Sequence, residues 1–389
     1  MFLVDFPYIS DFLRKTLRDH AIPVVDTPAA RRLDLLDGTR LLREDAALEA
    51  AGAPDAPPIY TTSENALGWL SARPAFDGLC EKIALFKDKL RFRELIRPLY
   101  PEFFFRRIPA AALAATRIDD FPLPFIIKPA IGFFSMGVYR VERPEQWKQT
   151  VDAIVSEMRR IEGRYPRAVL DAGAFIAEQC IEGDEYAVDA YFDDRGRPVV
   201  LSVLRHVFSS QADVSDRVYM TSKKIIEENI GPFTTLLEEV GNLAGIRNFP
   251  VHAELRRTAA GAIVPIEINP MRFGGWCSTP DLTAMAYGFN PYLYYYRRRR
   301  PDWTELLRDR DGRLFSIVVL DNATGLPAEK IVAFDYQKLL SRFEKPLELR
   351  KIDYRRYNVF AFLFTETAEA HFSELEAILG SNLREFVST

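Results

Sequence analysis

The chain predicts a mixed fold of the α+β and α/β kind, divided into several subdomains, and three observations carry that expectation. Strand-like and helix-like runs alternate along most of its 389 residues. Residues 251–257 and 263–269 alternate apolar and polar side chains on either side of a glycine-containing turn, the pattern of a β-hairpin. A strand at 125–128 enters a loop holding Gly132 and Gly137 and continues into a second strand at 138–141, not into a helix.

Taken in order, residues 2–6 predict a strand, 10–20 an amphipathic helix and 23–26 a second strand, together a small α/β domain over 1–84. Residues 50–58, rich in Ala, Gly and Pro, predict a loop. Ser63 predicts a helix cap with Glu64 in the first turn. One helix is expected over 83–96, carrying Asp88 and Lys89 and ended by Pro98 and Pro101. Strands then dominate from 125 to 269, interrupted by helices near 145–161 and 232–244. From 313 the pattern reads strand 314–320, helix 335–343, strands 347–351 and 359–364, and helix 371–379, a compact α+β cap.

Composition excludes several function classes. A hydrophobic share of 48% and a charged share of 27% describe an ordinary globular protein. The net charge of −4 argues against a general nucleic-acid binder. No apolar run approaches the roughly 18 residues that span a bilayer, so no membrane partner is expected. The first residues, Met1 to Phe6, are too acidic for a signal peptide. Cys80, Cys180 and Cys277 are scattered and imply neither disulfides nor zinc, which fits a reducing cytoplasm. Four histidines make a histidine-based metal centre unfavoured, and no nucleophile-elbow motif occurs. Arg297 to Arg300 read as a solvated helix end.

If Ala260-Gly261 forms the hairpin loop, Glu254 faces Glu267 and His252 faces Asn269. Ala253, Leu255, Ile266 and Ile268 then line the other, apolar face. Two carboxylates about 5 Å apart repel. A divalent cation between them removes that penalty, and an oxygen-rich Glu/Glu/Asn set suits Mg²⁺ carrying substrate phosphates. The alternative is a solvated strand face with Arg256 or Arg257 as counter-ions. In the glycine loop, backbone N–H groups can cover phosphates beside Lys128; the alternative is a plain hairpin. A strand through Glu178 reaches a turn at Gly183, with Glu185 beyond it: either a nucleoside edge or a solvent-facing acidic turn.

Together and in this order, Asp88-Lys89, Ile127-Lys128-Pro129 with its glycine loop, Glu178 with Glu185, and Glu254 with Glu267-Ile268-Asn269 resemble the ATP-grasp superfamily. The resemblance covers roughly residues 85 to 295, and it implies a lid within 85–180, a catalytic subdomain over 181–310 and a C-terminal α+β subdomain over 311–389. It further implies that Lys89 and Lys128 contact phosphates and that the loop containing Gly132, Ser135 and Gly137 closes over the triphosphate of ATP. Glu178 and the backbone of Gln179 and Ile181 would bind adenine, and Glu185 the ribose. Glu254, Glu267 and Asn269 would hold two Mg²⁺ ions, with Mn²⁺ an alternative, and Arg272 would neutralise phosphoryl charge. A further phosphate-facing cation is expected from Lys223 or Lys224.

The chain departs from the family pattern at Phe133 and Phe134, which are bulky for such a loop, and at Met271, where an arginine is common. His252 faces the acid pair where some relatives have arginine. The implied activity is ATP-dependent joining of a carboxylate to an amine through an acyl phosphate, with small amino acids as first candidates by resemblance to L-amino-acid ligases. Bicarbonate activation, thioester formation and a non-catalytic ATP-binding scaffold are the alternatives. A homodimer is compatible with the aromatic-rich C-terminal region.

Overall fold

Among the described residues the chain builds one long antiparallel sheet, two four-stranded sheets and a two-stranded pair, Ala333–Phe334 with Val387–Ser388. A computed structural model describes residues 1–53, 56–132, 137–161, 171–209 and 216–388. At the N-terminus, strands Leu41–Leu42, Val24–Val25, Phe2–Leu3 and Tyr60–Thr61 lie parallel in that order. The helix Asp11–Asp19 forms as expected, with the Ser10 hydroxyl accepting from the Leu13 N–H at 3.1 Å. Two local expectations fail here. A helix, Glu44–Gly52, runs into the stretch expected to be a loop, because its alanines favour helix despite the nearby prolines. Ser63 precedes a 3-10 turn, and its hydroxyl has no hydrogen-bond partner, so it does not cap.

The single helix expected over 83–96 is two helices, Asp77–Lys87 and Lys89–Ile96, broken at Asp88. Asp88 takes an extended backbone (φ −88°, ψ 109°), and its carboxylate accepts from the N–H groups of Leu90 and Arg91. The break decides geometry. On one continuous helix Lys87 and Lys89 would point some 200° apart, whereas both are buried beside acidic partners.

A four-stranded antiparallel sheet has the order Phe105–Pro109, Asp171–Gln179, Phe125–Ile131, Tyr139–Val141. The two strands flanking the glycine loop do pair, with Phe125 opposite Val141. Gly183 leads into the large sheet, so the two strands on either side of it belong to different sheets. It sits at φ 119°, and a Cβ there would lie 2.2 Å from the Arg257 carbonyl oxygen.

The large sheet has eight strands in the order Ile263–Pro270, Phe249–Arg257, Asp184–Phe192, Pro198–Val207, Val218–Thr221, Arg313–Asp321, Val359–Ala368, Lys345–Lys351. The C-terminal strands therefore extend this sheet instead of forming a separate cap. Residues 314–320 are buried on both faces: Phe315 and Ile317 join the main core, and Leu314, Val318 and Leu320 join a second core under the C-terminal helices. A helix expected from Pro232 begins earlier, as Lys223–Ala244. Pro232 cannot donate to the Glu228 carbonyl, and the Arg257 guanidinium donates to that oxygen at 3.2 Å instead. Arg297 to Arg300 lie beyond the helix Pro291–Tyr296, where Arg300 pairs with Asp193 at 2.8 Å. Among the described residues no helix is long and apolar enough to cross a membrane.

Candidate active site

The hairpin Phe249–Arg257/Ile263–Pro270 places Glu254 opposite Glu267 and His252 opposite Asn269, as the alternation predicted. It arrives there by two departures that cancel. The turn is one residue longer than expected, closed by Thr258 and Ala262 around Gly261 at φ 84°. A bulge between Glu254 and Leu255 then sets Leu255 opposite Pro265 and restores the register. The apolar face is accordingly Ala253, Leu255, Pro265 and Ile268, while Ile266 is only half-buried. The bulge exposes carbonyls, and Arg93 takes them: its guanidinium donates to Pro265 O at 2.7 Å and to Ile266 O at 3.2 Å.

The neighbouring strand Asp184–Phe192 extends this polar face. Asp189 lies across from His252, Ala187 from Glu254, and Glu185 from Arg256. Asp189 is fully buried and accepts from His252 Nδ1 at 2.7 Å, from the Gly274 N–H at 2.9 Å and from the Thr279 hydroxyl. That bond fixes the ring of His252, whose Nε2 stands 4.0 Å from Glu254 Oε1.

Electrostatics separate the two acids. Burial and the opposed Glu267 push the Glu254 carboxyl well above the usual carboxylate range. Burial would do the same to Glu267, but Lys89 at 2.9 Å, with Lys128 and Lys87 further off, holds it well below that range. Asn269 Nδ2 spans the pair, 3.4 Å from Glu254 and 3.2 Å from Glu267. Turning that amide by half a rotation would present its oxygen in the same place. Among the described residues no three His, Cys, Asp or Glu side chains cluster as a ready metal cage. Two carboxylates and an amide fit a cation such as Mg²⁺ that brings its remaining oxygens on a ligand's phosphates.

A ring of cations surrounds the pair. Lys89 Nζ also donates to Gly132 O at 3.3 Å, so it touches the start of the glycine loop. Gly137, at the loop's far end, has φ 70° and a Cβ there would meet Pro129 and Met158. Ser135, Phe133 and Phe134 lie outside the described residues. Arg272 Nη2 reaches Glu64 Oε1 at 2.9 Å, and Lys87 takes the other oxygen of Glu64.

Glu178 makes a different arrangement. Its carboxylate is buried between Lys128 at 2.6 Å and Arg93 at 2.7 Å. Burial raises its pKa, and the two cations more than reverse this, to about 2. Gln179 accepts from the Phe104 N–H at 2.8 Å, and its own N–H donates to Phe104 O at 3.0 Å. Phe104, just before the edge strand Phe105–Pro109, thus engages the Gln179 N–H. Ile181 O accepts from Arg256 at 2.5 Å. Glu185 is bound by Arg256 at 2.8 Å and by His206 at 3.0 Å; burial raises its pKa, and those partners bring it below the usual range. Arg256 thus serves Glu185 and not the acid pair.

Lys223 is not brought to the acid pair. As the first residue of its helix it pairs with Asp311 at 3.0 Å, and the exposed Lys224 reaches towards Glu228. Sequence reasoning missed Glu64, Lys87, Arg93, His206 and Asp189. Only Asp189 carried a local signal, as the one acid in the otherwise apolar and aromatic run 186–192.

Residues 121–280, which contain the glycine loop, Glu178, Glu185 and the acid hairpin, match the sequence profile of the ATP-grasp domain. That segment is similar to an ATP-grasp domain. No curated protein sequence matches it significantly. Solved ATP-grasp structures superpose over nearly the whole chain. L-amino acid ligase from Bacillus licheniformis aligns with a TM-score of 0.69 at 17% identity, over 100% of this chain and 97% of that one. N5-carboxyaminoimidazole synthase from Aspergillus clavatus, in complex with ADP and 5-aminoimidazole ribonucleotide, gives 0.63 at 14% identity over 98% of both chains. The biotin carboxylase domain dimer of Hydrogenobacter thermophilus 2-oxoglutarate carboxylase, in complex with MgADP, ADP and bicarbonate, gives 0.59 at 14% identity, over 96% and 89%. At such identities the likeness concerns the ATP-grasp fold.

Proposed function

We propose that this ATP-grasp protein is an ATP-dependent ligase that activates a carboxylate as an acyl phosphate and joins it to an amine, releasing ADP and phosphate. The observation that carries the reading is the opposed pair Glu254 and Glu267, bridged by Asn269 and ringed by Lys89, Lys87 and Arg272. A scaffold has no use for two half-buried carboxylates set directly against each other. Amino acids are the proposed substrates, supported by the likeness in fold to an L-amino acid ligase.

In this reading Glu254, Glu267 and Asn269 would hold two Mg²⁺ ions, with Mn²⁺ able to replace them, which would supply positive charge against the repulsion between carboxylate and phosphate. Lys89 and Lys128 bind phosphate oxygens, under the loop that runs from Gly132 through Ser135 to Gly137. Glu178 with the Gln179 and Ile181 backbone lies at the adenine, and Glu185 at the ribose. Arg272 carries the chemistry of charge. A substrate carboxylate oxygen attacks the γ-phosphorus, the bond to ADP breaks, and Arg272 offsets charge on the transferring group. An amine nitrogen then attacks the acyl carbon, the carbon–oxygen bond to phosphate breaks, and the nitrogen loses a proton to give the amide. The same guanidinium can stabilise the tetrahedral oxyanion between those events. The three cysteines are unpaired, as a reducing cytoplasm would leave them.

Phosphate release from Mg-ATP across a panel of amino-acid pairs tests the reading. Stimulated release by one pair, trapping of an acyl hydroxamate by hydroxylamine, and a fall on the order of 100-fold in Glu267→Gln are expected. Tight ATP binding without stimulation by any pair would instead favour the non-catalytic alternative.

A further inference from the structure

The strand Tyr60–Thr61 and the 3-10 turn after it belong to the N-terminal domain, yet they grip the segment that carries Arg272. Met271, immediately before the arginine, stands at φ 66°, a conformation that side-chain-bearing residues rarely adopt. Its carbonyl accepts from the Thr61 N–H at 2.8 Å and from the Thr61 hydroxyl at 3.2 Å. On the other side of Arg272, the Phe273 N–H donates to the Tyr60 hydroxyl at 3.3 Å, and the two rings pack with centroids 5.2 Å apart. Arg272 is thus pinned at both flanking peptides by one short strand 210 residues away.

Glu64 completes the grip at the side chain. One carboxylate oxygen accepts from Arg272 Nη2 at 2.9 Å and the other from Lys87; Glu64 and Lys87 are buried and Arg272 is partly so. The remaining reach of the guanidinium is closed by Arg272 Nη1 donating to Phe273 O at 3.0 Å. Without the Glu64 charge, Lys87 and Arg272 would be two unpaired cations beside Lys89. Repulsion would then push the arginine side chain, which has lost its carboxylate partner, away from its place near the acid pair. Consistent with this balance, burial raises the Glu64 pKa while Lys87 and Arg272 bring it below the usual carboxylate range.

We propose that Glu64 is a positioning residue for Arg272: the N-terminal domain fixes the guanidinium that acts on the transferring phosphoryl group, so the ATP-grasp domain alone is an incomplete active site. This rests on the ligase reading above. Glu64 touches no substrate in this account and acts only through Arg272.

The test compares Glu64→Gln and Glu64→Asp in the full chain by thermal melting, Mg-ATP affinity and the kcat for amino-acid-stimulated phosphate release. Displacing a catalytic group by about 1 Å can cost about 100-fold, so Glu64→Gln is expected to lose about 100-fold in kcat with Mg-ATP affinity within about threefold of wild type. Glu64→Asp, which keeps the charge on a shorter arm, recovers part of that loss. In an Arg272→Lys background Glu64→Gln costs less than about twofold more, because the two changes remove one unit. A kcat within about twofold of wild type in Glu64→Gln overturns the proposal, as does full additivity with Arg272→Lys or an equal loss in affinity and kcat. If Glu64→Gln does not melt cooperatively, Tyr60→Phe takes its place, and an unchanged kcat there overturns the proposal. Wild-type protein that releases no phosphate with any substrate pair defeats the ligase reading instead. The inference is then decided by a crystal structure of Glu64→Gln: a displaced guanidinium supports it and an unmoved one overturns it.

Discussion

Two carboxylate sites, a buried one at Glu178 and a half-buried one at Glu254, obey opposite rules. Glu178, on the four-stranded sheet, has both oxygens matched by cations, Arg93 and Lys128, and its pKa falls to about 2. Glu254, on the eight-stranded sheet, faces another acid directly, and its pKa climbs well above the usual range. Buried charge that is paired holds a structure together; buried charge set against its own sign costs stability unless a ligand supplies the missing partner. The contrast separates a carboxylate whose charge the fold itself satisfies from one that awaits a ligand's charge. Arg93 connects the two, since the guanidinium that pairs with Glu178 also holds the bulge carbonyls of the acid hairpin.

The largest expected effect is on the brace. Glu178→Gln leaves Arg93 and Lys128 buried without their counter-charge, and chemical denaturation should show a loss of about 3–5 kcal/mol. A variant as stable as wild type would erase the distinction between the sites.

Acid should reach the same brace. The Glu178 pKa is depressed in the folded state, so its contribution is present above its ordinary value near 4.5 and is lost as pH falls towards about 2. Roughly 3 kcal/mol rides on that window, and the stability difference between wild type and Glu178→Gln should shrink across it.

A smaller change of opposite sign is expected at the acid pair. Glu254→Gln removes repulsion, so the ligand-free protein should gain about 1 kcal/mol in stability by thermal melting. The same variant should lose most of the stabilisation that Mg-ATP gives wild type. A destabilised ligand-free variant would mean that Glu254 is also a brace.

The acid pair was legible because period-two alternation and one glycine constrain a hairpin strongly, and because the longer turn and the bulge offset each other by one residue. The glycine loop between two strands was legible for the same reason. The cations were harder. Asp88 reads as an ordinary helix residue until its carboxylate is seen capping the next helix, and only that break turns Lys87 and Lys89 towards the acids. Glu64 and Arg272 meet across 208 residues, and Arg93 meets Glu178 across 85, distances at which no local pattern reports. The C-terminal strands read as a separate unit because residues 314–320 are apolar on both faces. Periodicity alone does not say that the two faces serve two cores.

The central claim, that Glu254 and Glu267 share a divalent cation carrying a nucleotide, is tested most directly by Mn²⁺ titration followed by electron paramagnetic resonance, with and without ATP. Wild type should take up protein-bound Mn²⁺ only when ATP is present, and Glu267→Gln should weaken that uptake by about 10–100-fold. Equal Mn²⁺ binding by the two proteins in the presence of ATP would contradict the account.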